Sequence, residues 1–298
     1  LVSMTMPHLN EERSAPWWAW VVALCGLLAV VVCFLFVRPL GLTEAVFPGT
    51  AREVLRGGGW AQLSFLGRPM REAPLYSWIL AALGLARGPD WVVRLPALGG
   101  GLAIAVLAWW VVRRTVGGFP ALIAGAVTLS CVGAVQAMQT AGNETWFAAA
   151  LFAGWIGWYR LGIVRQRWLG AWAVSMLCLL VAFFAGGGSA FLYFYFPLLW
   201  VRQPVRGTER MANWRHLVPL SFVIAVCVAW VSLSWRHGDL AAWRQFVESA
   251  VGARSESYAR RLWAYPLAVV WRTMPWGLVA WPGFCQAFRP VERDPGFC

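Results

Sequence analysis

Thirteen acidic side chains are spread over 298 residues, and two of them stand where an ionised carboxylate is hard to account for. Glu44 directly follows an apolar run, and Glu144 sits in a short polar break between two others. A carboxylate at the edge of a bilayer is costly to desolvate, so an acid with no evident partner there is a candidate for chemistry. Arg52, Arg68, Arg71 and Arg94 follow the first of these acids along the chain, interleaved with Glu53, Glu72 and Asp90. The planar guanidinium fork suits phosphate, so carboxylates set among arginines at a membrane surface fit a lipid-linked phosphosugar or another phospholipid headgroup. The same residues fit a plainer account, in which the acids reach interfacial water and the arginines anchor to headgroups. A Ser-His-Asp or Cys-His site has no support, because His8, His216 and His237 fall in separate segments and neither GxSxG nor HExxH occurs. The seven cysteines lie mostly in apolar runs without CxxC spacing, so neither a disulfide nor a metal cluster is expected.

The elements that must position these side chains are membrane helices. Hydrophobic residues make up 60% of the chain and charged ones 13%, against about 45 to 50% and about 25% in soluble domains. That balance makes a soluble enzyme the least economical reading and predicts an all-α, polytopic membrane protein. The net charge of +12 comes wholly from arginine, and in such a chain it faces lipid headgroups or an anionic substrate, with no nucleic-acid partner expected.

Runs of about 20 apolar residues mark the spans. A short leader, 1–16, precedes a first span at 17–37, and a long polar outer loop occupies 38–90. Inside that loop a helix over 48–55 is expected to start at Pro48 and stop at Gly57, Gly58 and Gly59. The 14 apolar residues 73–86 are too few to cross and are assigned to the interface. Further spans at 91–112, 119–139, 145–159, 168–185, 189–201, 217–235 and 263–285 bring the total to about eight, within a transmembrane domain over 17–285. A second outer loop covers 236–262, and a cytoplasmic tail 286–298. With the leader cytoplasmic, the arginine clusters at 113/114, 160/165/167, 202/206/210/215 and 289/293 share its side, as the positive-inside rule prefers. Tryptophans cluster at run ends and read as interfacial anchors.

The stretch 43–78, TEAVFPGTAREVLRGGGWAQLSFLGRPMREAPLYSW, carries a more specific layout. An acid follows the first span, then an amphipathic ARE-containing helix, a Gly-Trp turn, a Gly-Arg-Pro turn and an APLYSW helix. This order resembles the first outer loop of the GT-C membrane glycosyltransferases, specifically the aminoarabinose-transferase and protein O-mannosyltransferase-like group. The likeness continues through VRLP at 93–96, the outer break at 140–146, the glycines at 186–188 and TMPW at 273–276.

The resemblance implies a bacterial inner-membrane enzyme that moves a sugar from a polyprenyl-phosphate donor to a lipid or envelope acceptor on the outer face. It implies Glu44 as the base that deprotonates the acceptor, Glu144 as its assistant, and Arg52, Arg71 and Arg94 near the phosphate, with Glu72 and Tyr76 lining the substrate site. No cofactor is implied, and a divalent cation is left open. The chain departs from the family at several positions: the catalytic aspartate falls on Thr43, a nearby arginine on Val46, a loop lysine on Glu72, the outer aspartate on Glu144 or Asn143, and another lysine on Gly186. Those departures support a second reading, a catalytically degenerate relative that binds lipid-linked sugar or acts as a scaffold. Family chains continue beyond the last run here, so the tail is expected to be a truncated end. A transporter has less support, since Arg272 is the nearest approach to a charge in mid-span and no paired interrupted helices occur.

Overall fold

A computed structural model describes residues 39–57, 59–61, 63–69, 73–115, 117–200, 211, 213–235 and 270–274. The leader, the first span at 17–37, the loop at 236–262, most of the last span at 263–285 and the tail lie outside the described residues, as do Arg71 and Glu72.

The described chain is almost entirely helical. The first helix, α1, runs Leu42–Leu55, six residues earlier than expected, and Pro48 lies inside it. The early start follows from Glu44, whose carboxylate reaches back to accept the Gly41 N–H at 2.8 Å and so satisfies a donor of the first turn. The helix stops as anticipated, with Gly57 at φ +101. A two-stranded hairpin follows, β1 (Ser64–Phe65) and β2 (Arg68–Pro69), turned by Leu66 and Gly67 at positive φ. Glu53 of α1 anchors it, accepting bonds from the Ser64 hydroxyl and the Leu66 N–H.

Where one 14-residue interfacial helix was expected, the structure has α2 (Leu75–Ala82), a left-handed Gly84 and a 3-10 turn at Leu85–Arg87. Eight helical residues reach about 12 Å, well short of a bilayer core of about 30 Å, so this segment does not cross. The remaining elements are α3 (Asp90–Thr115), α4 (Gly118–Ser130), α5 (Val132–Met138), α6 (Glu144–Gly157), which continues as π turns over Trp158–Val164, α7 (Trp168–Gly186), α8 (Ser189–Trp200) and α9 (Trp214–Trp235). Among the described residues four helices are long and apolar enough to cross a membrane, or five if α4 and α5 form one broken span. The 12-residue α8 falls short of that length. The protein is an integral, multi-pass membrane protein.

The expected continuous span at 119–139 is instead bent by 64° between α4 and α5. Ser130 turns its hydroxyl onto the Ala126 carbonyl at 2.7 Å, and Cys131 is extended. The Val132 N–H freed by the break is accepted by the Met274 carbonyl at 3.1 Å, while Arg272 packs on Gly133. A backbone break inside a bilayer requires such a substitute partner.

Helices α3, α6 and α7 approach closely through small residues. Thr145 and Met138 lie against Gly100 and Gly101, and Phe147 lies against Gly186, where a Cβ would collide. The larger core is aromatic and fills the space among α6, α7, α8 and α9, with Trp172, Met176, Leu179, Phe183 and Phe194 buried in it. A smaller core of Phe47, Tyr76, Leu80, Val93 and Ala97 lies beneath α1 and α2.

The helices alternate in direction, which gives the bundle two chemically distinct ends. Trp78 of α2 packs on Phe184 near the end of α7, with ring centroids 5.1 Å apart, and Trp230 late in α9 packs on Phe183 and Phe184. At the other end Trp158 meets Trp168. The starts of α3 and α6 therefore share one end with α1 and α2, and their finishes share the other. Glu44, Glu53, Asp90 and Glu144, the described acids, all lie at the first end, whereas Arg113, Arg114, Arg160, Arg165, Arg167 and Arg215 lie at the second. With the arginine-rich end cytoplasmic, a cysteine at Arg56 in a cysteine-free background should react with an impermeant thiol reagent in intact cells. One at Thr115 should not; the reverse labelling pattern would invert this orientation.

Candidate functional site

The acidic end of the bundle is organised around one carboxylate. Glu44 is almost fully buried, and its Oε2 lies 3.0 Å from Nη2 of Arg94, itself completely buried on α3. The same oxygen accepts the Gly41 N–H, and Oε1 accepts the Ala141 N–H at 3.1 Å. Arg94 Nη2 also donates to the Pro39 carbonyl at 2.9 Å. Burial by itself would raise the Glu44 pKa, but the Gly41 N–H, Arg94 and the Ala141 N–H together hold it below the ordinary carboxylate value. A carboxylate held by three donors is a weak base.

The neighbouring groups extend this frame. Asp90, at the start of α3, accepts the Leu40 N–H at 3.1 Å. Tyr76 donates its hydroxyl to the Val93 carbonyl at 2.8 Å and stacks edge-on against Phe47. Burial, together with the nearby charges of Glu44 and Glu144, pushes the Tyr76 phenol well up, so it stays neutral. Asn143 clamps the entry to α2 from both sides: its Oδ1 accepts the Tyr76 N–H and its Nδ2 donates to the Ala73 carbonyl, each at 2.9 Å. This clamp fixes the chain just after Arg71 and Glu72.

Of the residues singled out in the sequence, the structure brings Glu44, Arg94 and Tyr76 into one buried block. Glu144 opens α6 beside it, is exposed, and folds its carboxylate back over Gly142. Arg52 is exposed two turns along α1 from Glu44, donating from Nε to the Ala86 carbonyl at 2.6 Å, and does not meet the ion pair. Thr43 is exposed in the first turn of α1, Val46 is half-buried, and Gly186 is a packing position under Phe147. Sequence reasoning missed the Asn143 clamp and the Ala141 N–H. Neither leaves a signal in the chain, because each acts on a partner 67 or 97 residues away. Among the described residues no three His, Cys, Asp or Glu side chains converge on a point suited to a metal ion.

A multi-pass bundle in which the segment before α3 folds back as α1, hairpin and α2 over the starts of α3 and α6 has the GT-C-like fold of membrane glycosyltransferases. The particular likeness is to ArnT, an aminoarabinose transferase, from Cupriavidus metallidurans. In the apo state that structure superposes with a TM-score of 0.65 at 19% identity, covering 89% of this chain and 50% of ArnT. In the undecaprenyl-phosphate-bound state the TM-score is 0.68 at 18% identity, covering 91% of this chain and 51% of ArnT. The chain spans about half the length of these neighbours. No protein-family model matches the sequence, and no curated protein matches it either.

The buried pair sets a stability test with a defined sign. Glu44 has a folded pKa below its ordinary value of 4.5, so its contribution is present above that pH and is lost as pH falls through the lower folded value. Thermal melting in detergent should therefore show an acid-induced loss below about pH 4.5 that Glu44→Gln largely lacks. Arg94→Ala at neutral pH should cost about 3 to 5 kcal/mol, because it strands a buried carboxylate. A melting temperature unchanged by Arg94→Ala would remove the pair from the centre of the fold.

Proposed function

We propose that the protein handles a polyprenyl-phosphate-linked sugar as a GT-C membrane glycosyltransferase, passing the sugar to a lipid or envelope acceptor on the outer face of a bacterial inner membrane. The observation that carries this reading is the GT-C-like fold, which extends over about nine-tenths of the chain. The undecaprenyl phosphate bound by one ArnT structure supports a lipid-linked donor.

In this reading the acceptor oxygen attacks the anomeric carbon and the bond from that carbon to the phosphate oxygen breaks. The electron pair leaves with the polyprenyl phosphate, while a carboxylate takes the acceptor proton. This reading divides the roles differently from the sequence expectation. Glu44 and Arg94 hold the frame, and Glu144, exposed at the start of α6, is the carboxylate free to receive a proton. Arg52 and Arg71 remain the arginines suited to the leaving phosphate, and Glu72 and Tyr76 remain candidates for the substrate site. One observation favours the second reading, a degenerate lipid-linked-sugar binder. The position of the family's aspartate is an exposed threonine, Thr43, and the adjacent Glu44 is fully engaged.

The test is transfer by the purified chain from a radiolabelled polyprenyl-phosphate sugar pool. Glu144→Gln should lower turnover by about 100- to 10,000-fold. Arg71→Ala should weaken polyprenyl-phosphate binding by about 10- to 150-fold. Binding without transfer, with transfer appearing only in Thr43→Asp, would establish the degenerate relative instead.

A further inference from the structure

The turn that leads into α6 holds a residue whose side chain does not serve its own helix. Asn143 directly precedes Glu144, and an asparagine in that place ordinarily turns its side-chain oxygen onto the first N–H groups of the helix it opens. Asn143 makes no such bond. Its backbone is already helical, at φ −83 and ψ −11, and its carbonyl joins α6 by accepting the Phe147 N–H at 2.9 Å. The amide goes instead to α2, 67 residues back along the chain.

Helix α2 needs it. The residue before α2 is Pro74, which supplies no side-chain cap, so the N–H of Tyr76 in the first turn requires an acceptor from elsewhere. Asn143 Oδ1 is that acceptor, while Nδ2 donates to the Ala73 carbonyl on the other side of the proline. The arrangement is a helix cap delivered from another helix. One residue thus starts two elements, α6 through its backbone and α2 through its side chain. Asn143 is 9% exposed, so losing either bond strands a polar group with little access to water.

The position of this residue links it to the chemistry. Glu144 is its immediate neighbour, and Arg71 and Glu72 directly precede Ala73 in the sequence. The carboxylate available to take a proton and the chain entering α2 therefore meet at one amide. Glu144 is also near enough to α2 for its charge to help raise the Tyr76 phenol. Two residues earlier the Ala141 N–H is held by Glu44, so the same turn is tied to α1 as well.

We propose that Asn143 is a positioning residue for sugar transfer, setting the place of Glu144 against the entry to α2 so that the carboxylate meets the acceptor hydroxyl. The proposal rests on the transferase reading above. Displacing a reacting group by about 1 Å can cost about 100-fold in rate, and a two-ended amide clamp restrains a displacement of that size.

Steady-state transfer by the purified full chain from the radiolabelled polyprenyl-phosphate sugar pool tests it. Asn143→Ala should lower kcat by about 10- to 100-fold and change the apparent KM for the pool by less than about threefold, the pattern of lost alignment with binding retained. The double variant Asn143→Ala/Glu144→Gln should be no more than about threefold slower than Glu144→Gln alone, because alignment matters only while the carboxylate is present. A purely structural asparagine would slow both backgrounds equally. Asn143→Asp keeps the size and the acceptor for Tyr76 but turns an oxygen toward the Ala73 carbonyl; it should also lower kcat, and it carries the same comparison if Asn143→Ala does not fold. Hydrogen exchange at the Tyr76 N–H should be faster in Asn143→Ala, whatever the activity. An active wild type with kcat unchanged in both Asn143 variants, or equal losses with and without Glu144, would overturn the positioning role alone. Absence of transfer by the unmodified chain would instead remove the transferase reading, and the positioning role with it.

Discussion

The constraint on which the acidic end of this protein depends is the buried pair of Glu44 and Arg94. Neither charge tolerates burial alone, so the segment before α1, the start of α3 and the turn before α6 must all stay where they complete the set of donors and acceptors. Leu40 on Asp90, the Tyr76 hydroxyl on Val93 and Asn143 across the entry to α2 repeat the tie between the same segments. The result is a rigid block in which α1 and α2 are held against the bundle by polar contacts made in a nearly dry place. Such a block positions whatever lies at its edge, and what lies there is Thr43, Glu144 and the chain adjoining Arg71 and Glu72.

The helices beneath are arranged by close approach. Glycines of α3 admit Thr145 and Met138, and Gly186 admits Phe147, so side chains interdigitate where no hydrophobic driving force exists between apolar helices in lipid. The bend between α4 and α5 belongs to the same logic. Ser130 competes for a backbone carbonyl, the ladder opens at Cys131, and the Met274 carbonyl takes the released N–H. Arg272, the charge that stood out in an otherwise apolar run, is thereby placed against Gly133 at the bend.

The same alternation of helix direction that builds the bundle sorts its charges, with carboxylates at one end and an arginine layer on tryptophan at the other. Both ends belong to the fold that the chain shares with ArnT over about nine-tenths of its length.

Composition and run length alone determined that the chain is a helical membrane protein, roughly where α3, α6, α7 and α9 lie, and which arginines share a side, because the bilayer imposes length, apolarity and charge bias on each segment separately. The order of short motifs in the first outer loop was likewise legible, since it is local: the stop at Gly57 and the tight turn at Gly67 need only their own backbone conformations. What the tertiary structure decided is everything that depends on partners far along the chain. Glu44 looked like an unpaired acid at a membrane edge, and the fold pairs it with Arg94 and with the Ala141 N–H, 50 and 97 residues away. The break at Cys131 escaped sequence reasoning for the same reason, since its freed N–H meets Met274, whereas the early start of α1 rests on the local reach of Glu44 back to Gly41. A hydrogen bond that closes across such separations leaves no periodicity behind, only two residues whose meaning appears when the fold sets them side by side.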